Sequence, residues 1–398
     1  MTAIATPPQS RIASRIQSID VVRGLVMVIM ALDHTRDFIH KNGFFYNATD
    51  LNTTTPALFF TRWITHFCAP AFVFLAGTSA YLMGRKMTKP QVRFFLLTRG
   101  LWLIVLEVTV VNLNLWFDVT FSVVALEVIW ATGLSMVVLG LLLTLPLQLL
   151  LGVGLLILLG HNALDALSFP AGSTLDIIWS ILHRPNAIPV SSDRIVFIMY
   201  PVLPWIGILI LGYCFGALYN RDREAEQRKR WLRWIGISTI AAFVLIRALN
   251  IYGDPVPWSV QKTPLFTVLS FINVTKYPPS LLFASMTLGP IIWLLSVLEG
   301  KRGNWMAFFV TYGRVPLFYF IVHFFLVHAL SVILLLSDGV AWSAINFQNR
   351  TGGVIPDHGL SLGMTYGVWI GVVLVMYPLC KWYGQVKAKS RNPIWSYL

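Results

Sequence analysis

Apolar runs close to 20 residues long recur along nearly all of this 398-residue chain, and nothing else in the sequence constrains its fold as much. In lipid every backbone N–H and C=O has to be paired within the protein, so runs of this length fold as membrane-spanning helices. A window-length reading gives about ten spans, near 19–39, 57–84, 94–114, 121–143, 145–161, 194–219, 232–250, 279–298, 305–336 and 361–383. The expected fold is therefore all-α, a polytopic integral membrane helical bundle. At 56% hydrophobic and 12% charged residues, the composition excludes an ordinary soluble protein. Gly313 with Pro316 should break or bend the ninth span, and Pro201 with Pro204 the sixth. Residues 1–18 are polar, carry Pro7, Pro8, Arg11 and Arg15, and read as a cytosolic tail rather than a cleavable signal peptide. Residues 19–384 read as one transmembrane domain without internal repeats, and 385–398 as a second cytosolic tail.

Lysine and arginine placement sets the expected orientation. Arg85, Lys86, Lys89, Arg93, the RDREAEQRKR loop, Lys301, Arg302 and the tail from Lys381 fall on one side together with the N-terminus. Both termini are then cytosolic, and segments 161–193 and 251–278 face outward. The net charge of +13 follows from this bias and from anionic headgroups, so the lipid bilayer is the implied partner and nucleic acid is not. Cys68, Cys214 and Cys380 lie far apart in apolar spans and read as buried thiols.

The first span, IDVVRGLVMVIMALDHTRD, carries charge at membrane depth, which is costly and marks a functional candidate. Asp20, Arg23, Met27, Met30 and His34 share one helical face, with Arg23 and His34 roughly 16 Å apart at about 1.5 Å per residue. Two readings stand: a helix burying structural ion pairs, or one lining a reaction path across the bilayer. Asp33 beside His34 could hold the imidazole in one tautomer and keep it basic. Arg62 and His66 pair at i and i+4 in the second span. Arg99, at the cytosolic end of the third, suits phosphate groups or snorkels to lipid. Glu127 in the fourth span is a buried carboxylate most simply explained by an arginine partner. The outer segment 161–193 holds His161, Asp165, Asp176, His183 and Asp193, yet its sequence names no ligand. Lys276 and Tyr277 precede two prolines expected to start a helix. Arg314, Tyr319 and His323 share the ninth span, whereas His328 points elsewhere.

Taken together, SIDVVRGLVMVIMALDH, ITHFCAPAFVFLAG, VIWATGLSM, PVLPWIGILILGYCFG, KYPPS and YGRVPLFYFIVH resemble the bacterial branch of the heparan-α-glucosaminide N-acetyltransferase-like membrane proteins. The resemblance runs from about Ser18 to the terminal WSYL. It implies acyl transfer across a membrane, from cytosolic acyl-CoA (acetyl-CoA) to an amine or hydroxyl on the far side. The Arg23–His34 spacing is similar to the arginine–histidine pair of membrane acyltransferases that decorate surface sugars, and it makes His34 the candidate catalytic histidine. Lysosomal relatives have an asparagine at about Asp33–His34 and their histidine further on, which leaves His40 as an alternative.

The resulting expectation is an acyl-CoA-dependent O- or N-acyltransferase of the bacterial inner membrane. His34, Asp33 and His66 are the catalytic candidates. Arg23, Arg36, Arg62, Arg99, Arg314, Tyr319, His323, Lys276 and Tyr277 are the substrate-binding candidates. The acceptor is a saccharide or other envelope molecule, with a homo-oligomer as an option. The rival class is a transporter or channel for a polar solute, which uses the same buried charges. A metal at Asp33, His34 and His66 lacks HExxH or comparable spacing, so no metal is expected.

Overall fold

The computed structural model describes residues 16–220 and 224–390. The tail up to Arg15, loop residues Arg221 and Arg223, and the terminal stretch with WSYL lie outside the described residues. Helix α1 (Gln17–Ile39) is followed by α2 (Pro56–Thr65) and α3 (Cys68–Gly84). These two divide the second expected span at His66–Phe67, before Pro70. Pro56 and the Thr55 side chain, which accepts from Leu58 N, start α2.

Helix α4 (Lys89–Leu106) passes through a π-helical turn at Glu107–Val111 into α5 (Asn112–Trp116). Strand β1 (Val123–Leu126), α6 (Val128–Leu142), α7 (Leu147–Gly160), α8 (Thr174–Leu182), β2 (Asn186–Pro189), β3 (Ile195–Ile198) and α9 (Leu203–Phe215) come next. The chain ends with α10 (Ala225–Leu249), α11 (Pro264–Ile272), α12 (Leu281–Leu298), α13 (Asn304–Gly313), α14 (Pro316–Ser337) and α15 (Leu362–Lys389).

The fold is the expected all-α polytopic bundle. Seven helical stretches among the described residues are long and apolar enough to cross a membrane, and two apolar helices, Val128–Leu142 and Leu203–Tyr219, are shorter. The figure of about ten is not reached on that measure. The reasons are local: α1 carries Asp20, Arg23, Asp33, Arg36 and Asp37, and the fourth and sixth spans give up their first residues to strands and leave helices that are too short. The ninth span breaks between α13 and α14 as Gly313 and Pro316 implied, and α14 alone is long enough to cross.

Three boundaries differ from expectation. The spans drawn from 121 and 194 begin as strands. β1 pairs in parallel with β3 (Val123 opposite Ile195), and β3 pairs antiparallel with β2 (Asn186 opposite Ile198). Runs as short as VVAL and IVFI have no period that separates strand from buried helix. Pro201 precedes α9 and Pro204 lies in its first turn, so they start that helix instead of breaking it. Pro278 and Pro279 stand ahead of Ser280, the true N-cap of α12, whose Oγ accepts from Phe283 N.

Helix α1 is central, lying against α2, α3, α12, α13, α14 and α15. Its approach to α13 depends on glycine. A Cβ at Gly24 would stand 1.8 Å from the Phe309 carbonyl oxygen, and one at Gly313 would stand 1.9 Å from that of Asp20. Small residues of this kind let membrane helices meet backbone to backbone. At one end of the bundle Ser18 Oγ donates to Glu299 Oε2 (3.3 Å) and Arg228 Nε to Glu299 Oε1 (3.0 Å), which joins α1, α10 and the end of α12. At the opposite end the first residue of α12, Leu281, donates its N–H to Asn162 Oδ1 at 2.9 Å.

Candidate active site

The later half of α1 meets α2, α14 and the loop before α12 in a polar cluster. Asp33 Oδ2 accepts a hydrogen bond from Arg62 Nη1, and Arg36 Nη2 lies 3.1 Å from Asp33 Oδ1 as an ion pair. Arg36 also donates to Asp37. Arg62 Nη2 reaches Tyr277 Oη at 3.3 Å, and Lys276 Nζ lies 5.1 Å from the centroid of the Tyr277 ring. Two guanidinium groups share the Asp33 carboxylate, and no hydrogen bond joins it to His34 among the described residues. Another residue meets the His34 ring through a ring nitrogen.

That residue is His323. His34 Nδ1 and His323 Nε2 are 2.9 Å apart in rings only 8° from parallel, and His323 Nδ1 is 2.6 Å from the Tyr319 carbonyl oxygen. A carbonyl can only accept, so His323 Nδ1 carries hydrogen and, in the neutral ring, Nε2 accepts. His34 Nδ1 must then donate, which leaves the lone pair of neutral His34 on Nε2. No hydrogen bond occupies that nitrogen among the described residues. The tautomer follows from the network and not from an observed proton.

Two cavities meet at this ring. One, about 620 Å³, is lined by polar groups including Arg36, Asp37, Arg62, Tyr277 and Arg350, with β-sheet residues Val123, Ala187, Ile195 and Phe197 as its wall. The other, about 50 Å³, is mainly apolar and is lined by Met27, Met30, Cys68, Phe72 and Phe320. Asp33, His34, Glu127, Tyr200 and Lys276 belong to both linings and so form the boundary between them.

The remaining candidates lie around or away from this boundary. His66 is buried behind Arg62, with Nδ1 unpartnered and its ring 5.5 Å from that of Phe283, and it lines neither cavity. Tyr319 stacks on His323 at 4.8 Å, its buried hydroxyl unpartnered. His40, the alternative base, has Nδ1 3.0 Å from the Leu360 carbonyl oxygen and lines neither cavity. Arg23 donates to Asp20 Oδ1 (3.2 Å), the Gly313 carbonyl (3.2 Å) and Ser79 Oγ (2.7 Å), cross-linking α1, α3 and α13. Arg99 sits midway along α4 within electrostatic reach of Tyr383, and Arg314 is exposed at the end of α13. The structure thus gathers Asp33, His34, Arg36, Arg62, Lys276, Tyr277, Tyr319 and His323, and leaves Arg23, Arg99 and Arg314 apart from them.

Sequence reasoning missed several contributors. Glu127 has no arginine partner among the described residues; it is the N-cap of α6 and faces both cavities. Tyr200 packs edge-on against Tyr277 at 5.3 Å. Arg247, nearly solvent-free, donates to the carbonyls of Val256 (2.8 Å), Ser270 (3.1 Å), Phe271 (2.9 Å) and Asn273 (2.9 Å). Its neighbour Asp254, 3.7 Å away, accepts from Thr275 N (2.8 Å) and Ser280 Oγ (2.7 Å). This hub fixes the loop that delivers Lys276 and Tyr277. Arg247 had one visible signal, a lone arginine near the end of an apolar run.

A polytopic bundle with a lone-pair-bearing histidine between two cavities has the form of a membrane group-transfer enzyme. The sequence model of the heparan-alpha-glucosaminide N-acetyltransferase catalytic domain matches residues 15–253, more than half of the chain, and the protein belongs to that family. It is an integral membrane protein with an acetyltransferase-type function. Among curated proteins none matches. The matched stretch contains Asp33, His34, Arg62 and His66; Lys276, Tyr277, Tyr319 and His323 lie beyond it.

Proposed function

We propose that this protein transfers an acetyl group from acetyl-CoA, arriving at the Ser18–Glu299 end of the bundle, to a hydroxyl or amine of a saccharide in the larger cavity. One observation carries the reading: His34 stands where the two cavities meet, with Nε2 left as the acceptor nitrogen by the His323 contact. The acceptor O–H or N–H loses its proton to His34 Nε2 as its heavy atom attacks the thioester carbonyl. The new C–O or C–N bond forms, the C–S bond breaks, and the imidazolium returns the proton to the departing thiolate. Lys276, which borders both cavities, and Arg62 are the cations placed to stabilise the oxyanion. Arg36, Asp37 and Tyr277 offer charged and hydrogen-bonding groups suited to a sugar, and Asp33 holds Arg36 and Arg62 in place. The apolar lining with Met27, Met30 and Phe72 suits the acetyl end of the donor. Arg99 and Arg314 are the candidates for CoA phosphates, as cations on α4 and at the end of α13.

The charge bias supports cytosolic termini on either side of one transmembrane domain over 19–384, in a bacterial inner membrane, alone or as a homo-oligomer. Purified protein in proteoliposomes, given acetyl-labelled CoA outside or inside and fractionated envelope saccharides opposite, tests the reading. Label should pass covalently to a saccharide fraction. Solute uptake with no covalent transfer would instead establish a transporter.

A further inference from the structure

Beyond the proposed acetyl transfer, we propose that His161, Asp165 and His183 form a zinc site at the end of the bundle where α12 begins. The three residues come from the short 3₁₀ turn at His161–Leu164, the residue after it, and the C-cap of α8. Each offers one donor atom, and those atoms all lie within 4.8 Å of one another. A tetrahedral ion holding donors at about 2.1 Å separates them by roughly 3.4 Å, so modest side-chain adjustment closes the set. Two imidazoles and a carboxylate are the borderline donor set that suits zinc. The fourth position falls to water or an incoming group.

A second observation points to a missing partner. His161 is 1% exposed, yet neither ring nitrogen has a hydrogen-bond partner; His183 is 3% exposed, and its Nδ1 has none. A neutral imidazole in that position buries both a donor and an acceptor unmatched, which native interiors generally avoid. A bound ion removes part of that deficit by taking one His161 lone pair. His183 Nε2 lies 2.8 Å from Asp165 Oδ1, and binding through that nitrogen moves the proton of the neutral ring to Nδ1. Asn162 Nδ2 donates to Asp165 Oδ2 at 2.9 Å and so orients the carboxylate from behind. Through its Oδ1 the same asparagine accepts from Leu281 N, the first residue of α12. The ion would therefore pin the α7–α8 segment beside the loop that carries Lys276 and Tyr277. It is separate from His34, where Arg36 and Arg62 flank Asp33 and disfavour a cation.

The test uses the full chain, purified on a histidine-free tag into lipid nanodiscs, with metal content measured by mass spectrometry after zinc equilibration and gel filtration. A single equivalent of zinc per chain is expected. Exchange with cobalt should give the visible d–d bands of a tetrahedral ion. His183→Ala and the gentler Asp165→Asn should lose the metal, whereas His34→Ala keeps it. Chelation should lower the melting temperature of the wild type and leave that of Asp165→Asn unchanged. A wild-type chain that binds neither zinc nor cobalt overturns the proposal even if a variant fails to fold. Retention in both site variants, or loss in His34→Ala alone, overturns it equally. None of these readouts depends on acetyl transfer, so the proposal stands or falls independently of that reading.

Discussion

The two halves of α1 carry the same sequence signal and use it in opposite ways. Both place charge on an otherwise apolar helix. In the first half, Arg23 spends its guanidinium on Asp20, Ser79 and a backbone carbonyl, beside a glycine contact that leaves no room for a methyl group. In the second half, Asp33 pairs with Arg36 and with Arg62 of α2 at the edge of a 620 Å³ cavity, yet among the described residues Asp33 Oδ1 and Arg36 Nε keep no hydrogen-bond partner and the His34 ring stands at the boundary. Intramembrane charge therefore marks a position of consequence without saying which kind. What separates a strut from a reactive group is whether every polar atom already has a protein partner.

The comparison can be broken most severely at Gly24. Gly24→Ala puts a Cβ 1.8 Å from the Phe309 carbonyl oxygen, so backbone must move. The cost should exceed the usual ~1–3 kcal/mol of overpacking, and little monodisperse protein should survive detergent extraction and gel filtration. His34→Ala should leave extraction intact and lower transfer about 10²–10⁴-fold, measured as labelled product per folded molecule. Undiminished turnover in that variant would return the second half of α1 to a structural role. His323→Ala removes the contact that fixes the tautomer without removing the base. It should cost on the order of tenfold to a hundredfold in rate, one to two factors of ten in barrier terms. A loss as large as that of His34→Ala would mean that His323 itself handles the proton. Arg62→Leu leaves the Asp33 carboxylate to Arg36 alone and should lower stability by about 2–4 kcal/mol, read as a depressed melting temperature. Arg23→Leu should show the smallest effect, about 1–3 kcal/mol of stability with turnover per folded molecule nearly unchanged. A raised acetyl-CoA requirement there would shift Arg23 from strut to donor binding.

Most of the helical plan was legible because membrane helices announce themselves by length and hydropathy, and the break at Gly313–Pro316 follows from backbone sterics alone. The meeting of Asp33, His34, Arg62 and Tyr277 was only partly legible. Helical periodicity relates residues on one helix, and Tyr319 with His323 was found that way. It cannot tell that the His323 ring lies edge to edge with His34, 289 residues earlier. Strands β1 and β3 were lost because four apolar residues fit either secondary structure. The role of Arg247 is invisible in sequence because its partners are mostly carbonyls, which carry no signature there. The arginine partner expected for Glu127 is not found among the described residues, because composition gives charge without position.

The π-helical turn at Glu107–Val111 has a consequence for how this chain can vary. One extra residue in a helical turn rotates everything beyond it by about 100° relative to an unbroken α-helix. Upstream of the turn, α4 lies against α6; downstream, Asn112 Nδ2 reaches the Ala125 carbonyl at 2.8 Å and accepts from its N–H at 2.6 Å through Oδ1. Both docking faces cannot be kept if a single residue is removed between them. Related sequences that lack the insertion must therefore re-clock one side of this helix, and an alignment drawn without a one-residue gap there would superpose a lipid-facing position on a sheet-facing one.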